Sequence, residues 1–204
     1  MSAEIVRVNT SMMNQAAWAP GKHLVPGRIV LIRDARFPGN VAIILRNAPS
    51  VVREGVKSDA RAYHVLILAT KQQIADASKP ELKDSELAPR WPPVLSPSTA
   101  QNPRYWLTAI ESSSIGFVTD RLLKVDVNGI LDKRQKEPAL KAMNELVKVQ
   151  EDITSGGELN EVDWARLSKL EFQEQLRNRI SLADRVSKLG CQLCKNFEED
   201  VSFR

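Results

Sequence analysis

Residues 27–33 read Gly-Arg-Ile-Val-Leu-Ile-Arg, and residues 41–45 read Val-Ala-Ile-Ile-Leu. Both runs are short and rich in β-branched side chains, and the segment between them, Arg36-Phe-Pro-Gly39, has the composition of a turn. A third run of the same kind spans 63–68, after a polar stretch. Short strands at this spacing predict a small antiparallel β-barrel or sandwich.

Further strands are expected beyond a proline-rich segment. Residues 79–104 contain six prolines, which disfavour a regular helix or a central strand, so we predict a long loop there. The runs 105–110, 115–119 and 121–127 are expected to be the closing strands of the same β-unit. Asn128-Gly129, directly after the last of them, predicts a tight turn.

Both ends of the chain are predicted to be helical. Residues 3–18 carry apolar side chains at helical spacing until Pro20-Gly21, and the helical period returns at Pro138. Ser155-Gly-Gly157 predicts the end of that helix, and a longer one is expected to begin between Glu161 and Ser168. The apolar stripe of the long helix is Phe172, Leu176, Ile180, Ala183, Val186, Leu189 and Leu193. We expect its seam, at Leu176, Ile180, Ala183 and Val186, to pack against 138–152 and the N-terminal helix.

These elements predict an α+β fold in which a small antiparallel β-barrel is inserted in a stalk of antiparallel helices. The predicted boundaries are 1–22 for the first stalk helix, 23–132 for the barrel with its proline-rich loop (79–104), and 133–204 for the returning stalk helices.

Positive charge is concentrated in one quarter of the chain. The whole chain has a net charge of +4, whereas residues 21–71 contain nine basic and only three acidic residues. Guanidinium and ammonium groups that project from strand ends and turns suit a phosphate backbone. The predicted RNA-binding residues are Arg28, Arg33, Arg36 and Arg46, flanked by Lys22, Arg53, Lys57 and Arg61.

Strand geometry divides the four central arginines into two pairs. Arg33 and Arg36 are expected at the turn end of the hairpin, and Arg28 and Arg46 at its open end. The pairs would lie roughly 15–20 Å apart, the length of a short strand, which suits several nucleotides. Phe37, in the turn, would either stack on a base or fold inward.

No catalytic constellation is apparent. The two histidines, His23 and His64, have no Ser/Asp partners in a recognisable order, and His64 is expected to be an ordinary strand residue. Phosphate-binding glycine loops are missing from the sequence, so we expect no nucleotide cofactor. Cys191 and Cys194 form the only cysteine pair. They are either half of a metal or redox site or thiols at a helix end, and we expect no metal there. No apolar run approaches the 18 residues typical of a membrane span.

Three stretches resemble one family. Pro26-Gly-Arg-Ile-Val-Leu-Ile-Arg33 with Gly39-Asn-Val-Ala-Ile-Ile-Leu45 resembles the opening of a KOW (SH3-like) β-barrel in the arch, or insertion, of DExH RNA helicases that serve the exosome. Residues 110–132 are similar to the closing strands in the cytoplasmic superkiller (Ski) complex helicase. The tail, 176–197 with Cys-x-x-Cys-x-x-Phe, is similar to the return helix of its stalk.

The resemblance implies an accessory arch of a parent helicase, which binds single-stranded RNA and gates its access to a catalytic core that this chain does not contain. It implies a cytoplasmic location in RNA decay, and as partners the remainder of the helicase, the other Ski subunits and exosome adaptor proteins. The alternative is a protein-docking module of the same architecture that recruits an adaptor. In both interpretations the chain itself is not an enzyme.

Overall fold

The computed structural model describes residues 2–18, 23–34, 36–49, 52–53, 56–57, 61–77, 95, 102–132, 134–164 and 170–201. Most of the proline-rich segment 79–104, including Trp91, lies outside the described residues. The elements in chain order are α1 (Ser2–Trp18), β1 (Arg28–Ile32), β2 (Val41–Ala48), β3 (Val52–Arg53), β4 (Val56–Lys57), β5 (Ala62–Ala69), α2 (Lys71–Ala77), β6 (Arg104–Glu111), a 3-10 helix (Ser112–Ser114), β7 (Ile115–Leu122), α3 (Val127–Leu131), α4 (Glu137–Thr154) and α5 (Leu170–Val201).

Five strands form one antiparallel sheet in the order β6-β5-β2-β1-β7. The 3-10 helix separates β6 from β7, and β7 returns to the opposite edge, where it pairs with β1. Register shifts between Ile44 and Arg46, and twice in the β1–β7 ladder, mark bulges that bend the strands. Strands β3 and β4 form a separate hairpin between β2 and β5. The predicted α+β class with a small antiparallel β-unit is confirmed.

Both faces of the sheet are covered, which explains why β1 and β2 read as continuous apolar runs instead of alternating ones. On one face, Val30 and Ile44 pack with Met12 of α1 and with Trp164. The side chains of the opposite face belong to a second cluster with α4. Its members are Ile29, Leu31, Val41, Ile43, Leu45, Leu66, Leu68, Phe117, Ile130, Ala139, Ala142, Met143 and Leu146. The sheet therefore lies between two helical layers.

The helices pair differently from the prediction. Helix α5 packs against α1, as expected, and Leu176 contacts the core on that face of the sheet. Helix α4 instead places Ala139, Met143 and Leu146 on the opposite face. The expectation that 138–152 forms the seam with the long helix is wrong, because the sheet occupies the apolar stripe of α4.

The buried face of α5 is also rotated from the predicted seam. Ile180 is 53% exposed, whereas Arg179 and Leu182 are each 3% exposed. At 100° per residue the buried face is turned by roughly 60° from the predicted one. Arg179 takes the central position because its guanidinium is hydrogen-bonded inside the structure. Helix α5 begins at Leu170; the preceding residues 165–169 lie outside the described part of the chain.

Two turn predictions have opposite outcomes. Helix α4 ends at Thr154 with Ser155 as its C-cap, and Gly156 follows with a φ of 105°, so the predicted stop at Ser155-Gly-Gly157 is confirmed. Strand β7 ends at Leu122, and Asn128-Gly129 lies inside α3. The predicted strand 121–127 and its tight turn are therefore wrong, because Asp126 accepts a hydrogen bond from the Gly129 amide at 3.0 Å and starts a helix. Over the described residues, every helix is too short or too polar to span a bilayer.

Candidate nucleic-acid interface

Arg28 lies inside the barrel. Its side chain is 7% exposed, and Nε donates to the carbonyl oxygen of His23 at 2.9 Å. Nη1 donates to the carbonyl oxygens of Asp120, at 2.8 Å, and Thr119, at 3.2 Å. Burial lowers the pKa of Arg28, and the carboxylate of Asp120 partly offsets this. These contacts fasten β1 and the segment before it to β7, which weighs against a phosphate contact at Arg28.

Arg33 has a similar internal role at the other end of β1. Its side chain is 3% exposed, Nε donates to the carbonyl oxygen of Ser113 at 2.8 Å, and Nη2 donates to Oγ1 of Thr10 at 2.7 Å. Burial lowers the pKa of Arg33 to about 10, so the group stays charged at neutral pH. The guanidinium joins the sheet to α1, and its donors face protein oxygens.

The turn between β1 and β2 is organised by Asp34. The Arg36 guanidinium donates to both carboxylate oxygens of Asp34, at 2.6 and 2.9 Å, and the Arg36 amide donates to Oδ1. Phe37 is 1% exposed and belongs to the core cluster that contains Met12 and Val30. Of the two interpretations of Phe37, the structure shows the inward one. At the turn end, Arg36 is therefore paired with Asp34, and its side chain remains 33% exposed.

Arg46 is exposed, in contrast to Arg28. It lies opposite His64 in the β2–β5 register, directly after the bulge in β2. Burial, and secondly the positive charge of Arg46, lower the pKa of His64. His64 is therefore neutral at pH 7 and offers ring nitrogens, not charge, beside the arginine. Arg28 and Arg46 lie at the same end of the hairpin but diverge, because Arg28 turns toward β7.

Of the flanking residues predicted from the sequence, Arg61 is described in full, and Arg53 and Lys57 are described by their backbone alone. The β2–β5 ladder ends where Ala48 pairs with Ala62. The connection that contains the β3–β4 hairpin leaves the sheet at this end, near Arg46 on β2 and Arg61 before β5. Arg61 is half-buried, and its carbonyl oxygen accepts from the Ser112 amide at 2.8 Å. We name Arg46, Arg61 and the β3–β4 hairpin the hairpin end of the barrel. The backbones of Arg53 and Lys57 lie in that hairpin. The side chains of both residues, and all of Lys22, lie outside the described residues.

A shallow groove of about 450 Å³ was not foreseen from the sequence. It lies between residues 123–126 and the start of α4, with an apolar floor that includes Ile130 and Ala142 and a rim of both charge signs, such as Lys141 and Glu145. The sequence signal for this groove is Asp126, which caps the short helix α3. The interpretation of Asn128-Gly129 as a tight turn excluded that helix.

Among the described residues, no group of three or more His, Cys, Asp or Glu side chains is placed to hold a metal ion. Cys191 and Cys194 lie in the backbone of α5, which continues to Val201. Their side chains lie outside the described residues.

An antiparallel barrel bearing a helical arm and a basic end is the class of accessory domain found in the arch of RNA helicases. Residues 21–202 match the family described as Mtr4-like, beta-barrel domain. The chain belongs to this family, whose members are the arch, or insertion, domains of Mtr4- and Ski-type helicases. The arch is a non-catalytic part of such helicases. No curated protein sequence matches the chain significantly.

Proposed function

We propose that this chain is the arch of an exosome-associated RNA helicase of the superkiller complex, acting in cytoplasmic mRNA decay. In this proposal it binds single-stranded RNA without sequence preference and gates its access to the helicase core. The observation that carries the RNA contact is the hairpin end, where Arg46 is exposed and the chain continues into a short hairpin whose backbone includes Arg53 and Lys57.

The proposed mechanism is electrostatic. Arginine and lysine side chains neutralise backbone phosphates and release counterions, so binding is tolerant of sequence and sensitive to salt. The hairpin end needs no contribution from Arg28 or Arg33, whose guanidinium groups bind internal carbonyl and hydroxyl oxygens. Neutral His64 adds a ring and hydrogen-bonding nitrogens beside the phosphate-binding charge of Arg46. The expected partners are RNA, the remainder of the helicase and the other Ski subunits.

A protein-docking role is the second candidate. The groove between residues 123–126 and α4 favours it, because an apolar floor with a charged rim is the usual anatomy of a protein contact. Its occupant would be an adaptor protein of the exosome. Under this alternative the hairpin end has little RNA affinity at any salt concentration.

Titration of labelled single-stranded RNA at 50 and 200 mM salt, followed by fluorescence anisotropy, tests the RNA proposal. Reversing two charges at the hairpin end, Arg46→Glu with Arg53→Glu, should weaken binding equally for all sequences. It should reduce the salt slope by roughly 1.5 to 2, a little under one for each contact.

The matched control is Arg134→Glu with Lys136→Glu, which changes the net charge equally at two exposed positions before α4. This control should bind RNA nearly as well as the parent. If both double variants weakened RNA binding equally, the loss would result from the change in net charge, and the hairpin end would not be the RNA-binding site. A parent chain that binds no RNA at 50 mM salt would favour the docking alternative.

A further inference from the structure

Two parts of the chain make polar contacts with the outer edge of β7. The segment around Glu161 pairs with the strand: the Val162 amide donates to the Val118 carbonyl oxygen at 3.0 Å, and Glu161 forms a bridge with Thr119. Further along the same strand, Asn9 of α1 donates from Nδ2 to the carbonyl oxygens of Ile115 and Gly116, at 3.4 and 3.3 Å. The edge of β7 is thereby covered by polar contacts from two separate parts of the chain.

Arg179 of α5 connects these two contacts. Nη1 donates to Oδ1 of Asn9 at 2.9 Å, and Nη2 donates to Oε2 of Glu161 at 2.7 Å. Arg179 is 3% exposed and Asn9 is 1% exposed. The second carboxylate oxygen of Glu161 is buried and has no hydrogen-bond partner among the described residues, so this carboxylate depends on Arg179.

We propose that Arg179, Asn9 and Glu161 form a polar lock that fixes the orientation of the helical arm, α1 with α5, on the barrel. When the lock is broken, α1 shifts along the edge of β7 while the sheet remains folded. The lock is independent of RNA binding and goes beyond the proposed function, since it concerns how the helical arm is held on the barrel.

The physical basis is the cost of a buried charge. A guanidinium is tolerated inside a protein only when its hydrogen bonds are made with good geometry, and removal of one partner leaves an uncompensated charge. Apolar packing between α1 and the sheet, through Met12 and Met13, resists separation but accepts small rotations. The directional bonds of Arg179 to two different elements admit only one orientation. Loss of these bonds is therefore expected to broaden the range of orientations that the arm takes on the barrel.

Spin-label distances test the lock directly. In a background with Cys191→Ser and Cys194→Ser, nitroxide labels are attached to Arg7→Cys on α1 and Arg104→Cys on β6, both exposed positions. The parent should show one narrow distance distribution by double electron–electron resonance. Arg179→Met should shift part of the population to other distances, and amide hydrogen exchange should accelerate in α1 but not in β1, β2 and β5.

Arg177→Met is the matched control, because it removes a guanidinium from an exposed position on the same helix. It should leave both the distances and the exchange unchanged. Glu161→Gln keeps an acceptor but removes the charge, so it should give a smaller shift in the same direction, and it replaces Arg179→Met if that variant does not fold. An unchanged distribution in the Arg179 or Glu161 variants, or equal loss of protection in the sheet and in α1, would overturn the lock.

Discussion

Oγ1 of Thr10 accepts a hydrogen bond from Nη2 of Arg33 at 2.7 Å, so an arginine at the end of β1 is held by the first helix. The neighbouring residue on that helix, Asn9, contacts Arg179 of α5. Two consecutive polar residues of α1 therefore bind two buried arginines from opposite ends of the chain. Part of the positive charge that marks this protein serves to hold its layers together.

Arg28 should be important for stability. Arg28→Met removes hydrogen bonds to the carbonyl oxygens of His23, Thr119 and Asp120, of which the first two are buried. The expected loss in the free energy of unfolding is about 2–4 kcal/mol. Urea denaturation measures it. Arg46→Met, at an exposed position on the neighbouring strand, should change stability by less than about 0.5 kcal/mol. Equal midpoints for the two variants would contradict the internal role of Arg28.

The rotated face of α5 gives a second pair of variants. Leu182→Asp places a charge at a position that is 3% exposed and should cost several kcal/mol, about the size of a severe core lesion. Ile180→Asp, at a position 53% exposed, should lower the melting temperature by only a few degrees at most, about what a surface change of ~0.5 kcal/mol gives. Thermal denaturation followed by circular dichroism compares them. A larger decrease in melting temperature for Ile180→Asp than for Leu182→Asp would show that the seam predicted from the sequence is the buried face.

Gly27 should tolerate no side chain. Its φ is 85°, and a Cβ atom there would overlap the carbonyl oxygen of Leu123. Gly156 has a φ of 105°, but nothing lies within 4 Å of its Cβ position. Gly156→Ala should therefore cost about 1–2 kcal/mol from backbone strain alone, and Gly27→Ala distinctly more. Chemical denaturation of both variants checks the order, and a smaller loss at Gly27 would show that the β1–β7 contact is looser than described.

His64 should make stability depend on pH. Its folded pKa lies below the usual value because of burial and then because of Arg46, so the folded state binds protons less readily than the unfolded state. Well above pH 6.5, His64 is neutral in both states and leaves the free energy of unfolding unchanged. As the pH falls below about 6.5, the unfolded state binds the proton more readily, so the free energy of unfolding decreases. Arg46→Met should raise the pKa of His64 while burial still holds it below the usual value.

NMR titration of the His64 ring measures this shift, and His23 is the only other histidine in the chain. Arg134→Met, which removes a charge from an exposed position before α4, is the control and should leave the pKa of His64 unchanged. An identical His64 pKa in the parent and Arg46→Met would show that Arg46 points away from the ring.

Some missed features had readable signals. Helix α2 begins with a reciprocal cap, in which Oγ1 of Thr70 accepts from the Gln73 amide and Oε1 of Gln73 accepts from the Thr70 amide. Thr-x-x-Gln is the sequence signature of that cap, so α2 could have been predicted. Asp126 before α3 is a comparable signal that was outweighed by the Asn-Gly turn preference. Local side-chain hydrogen bonds decided both elements.

The candidate site was only partly predictable. The strand pattern places Arg28, Arg33 and Arg46 near strand ends and Arg36 in the turn. It does not show whether a protein oxygen lies within hydrogen-bonding distance of each guanidinium. Arg28 meets the carbonyl oxygen of Thr119, 91 residues away, and Arg33 meets Thr10. Such contacts form only when β7 and α1 are docked, so exposure remains a tertiary property.

The sequence by itself determined the α+β class, β1, β2 and β5, the end of α4 at Ser155-Gly-Gly157, and the concentration of positive charge in residues 21–71. These features depend on β-branched runs, on the backbone freedom of glycine and on composition, all of which act locally. Only the tertiary structure decided that α4 and α5 cover different faces of the sheet, that Arg179 and not Ile180 is buried, and that Arg46 remains exposed. The reason is that a helix or strand has several faces of similar polarity, and the face that is buried depends on which distant hydrogen-bond partners it meets.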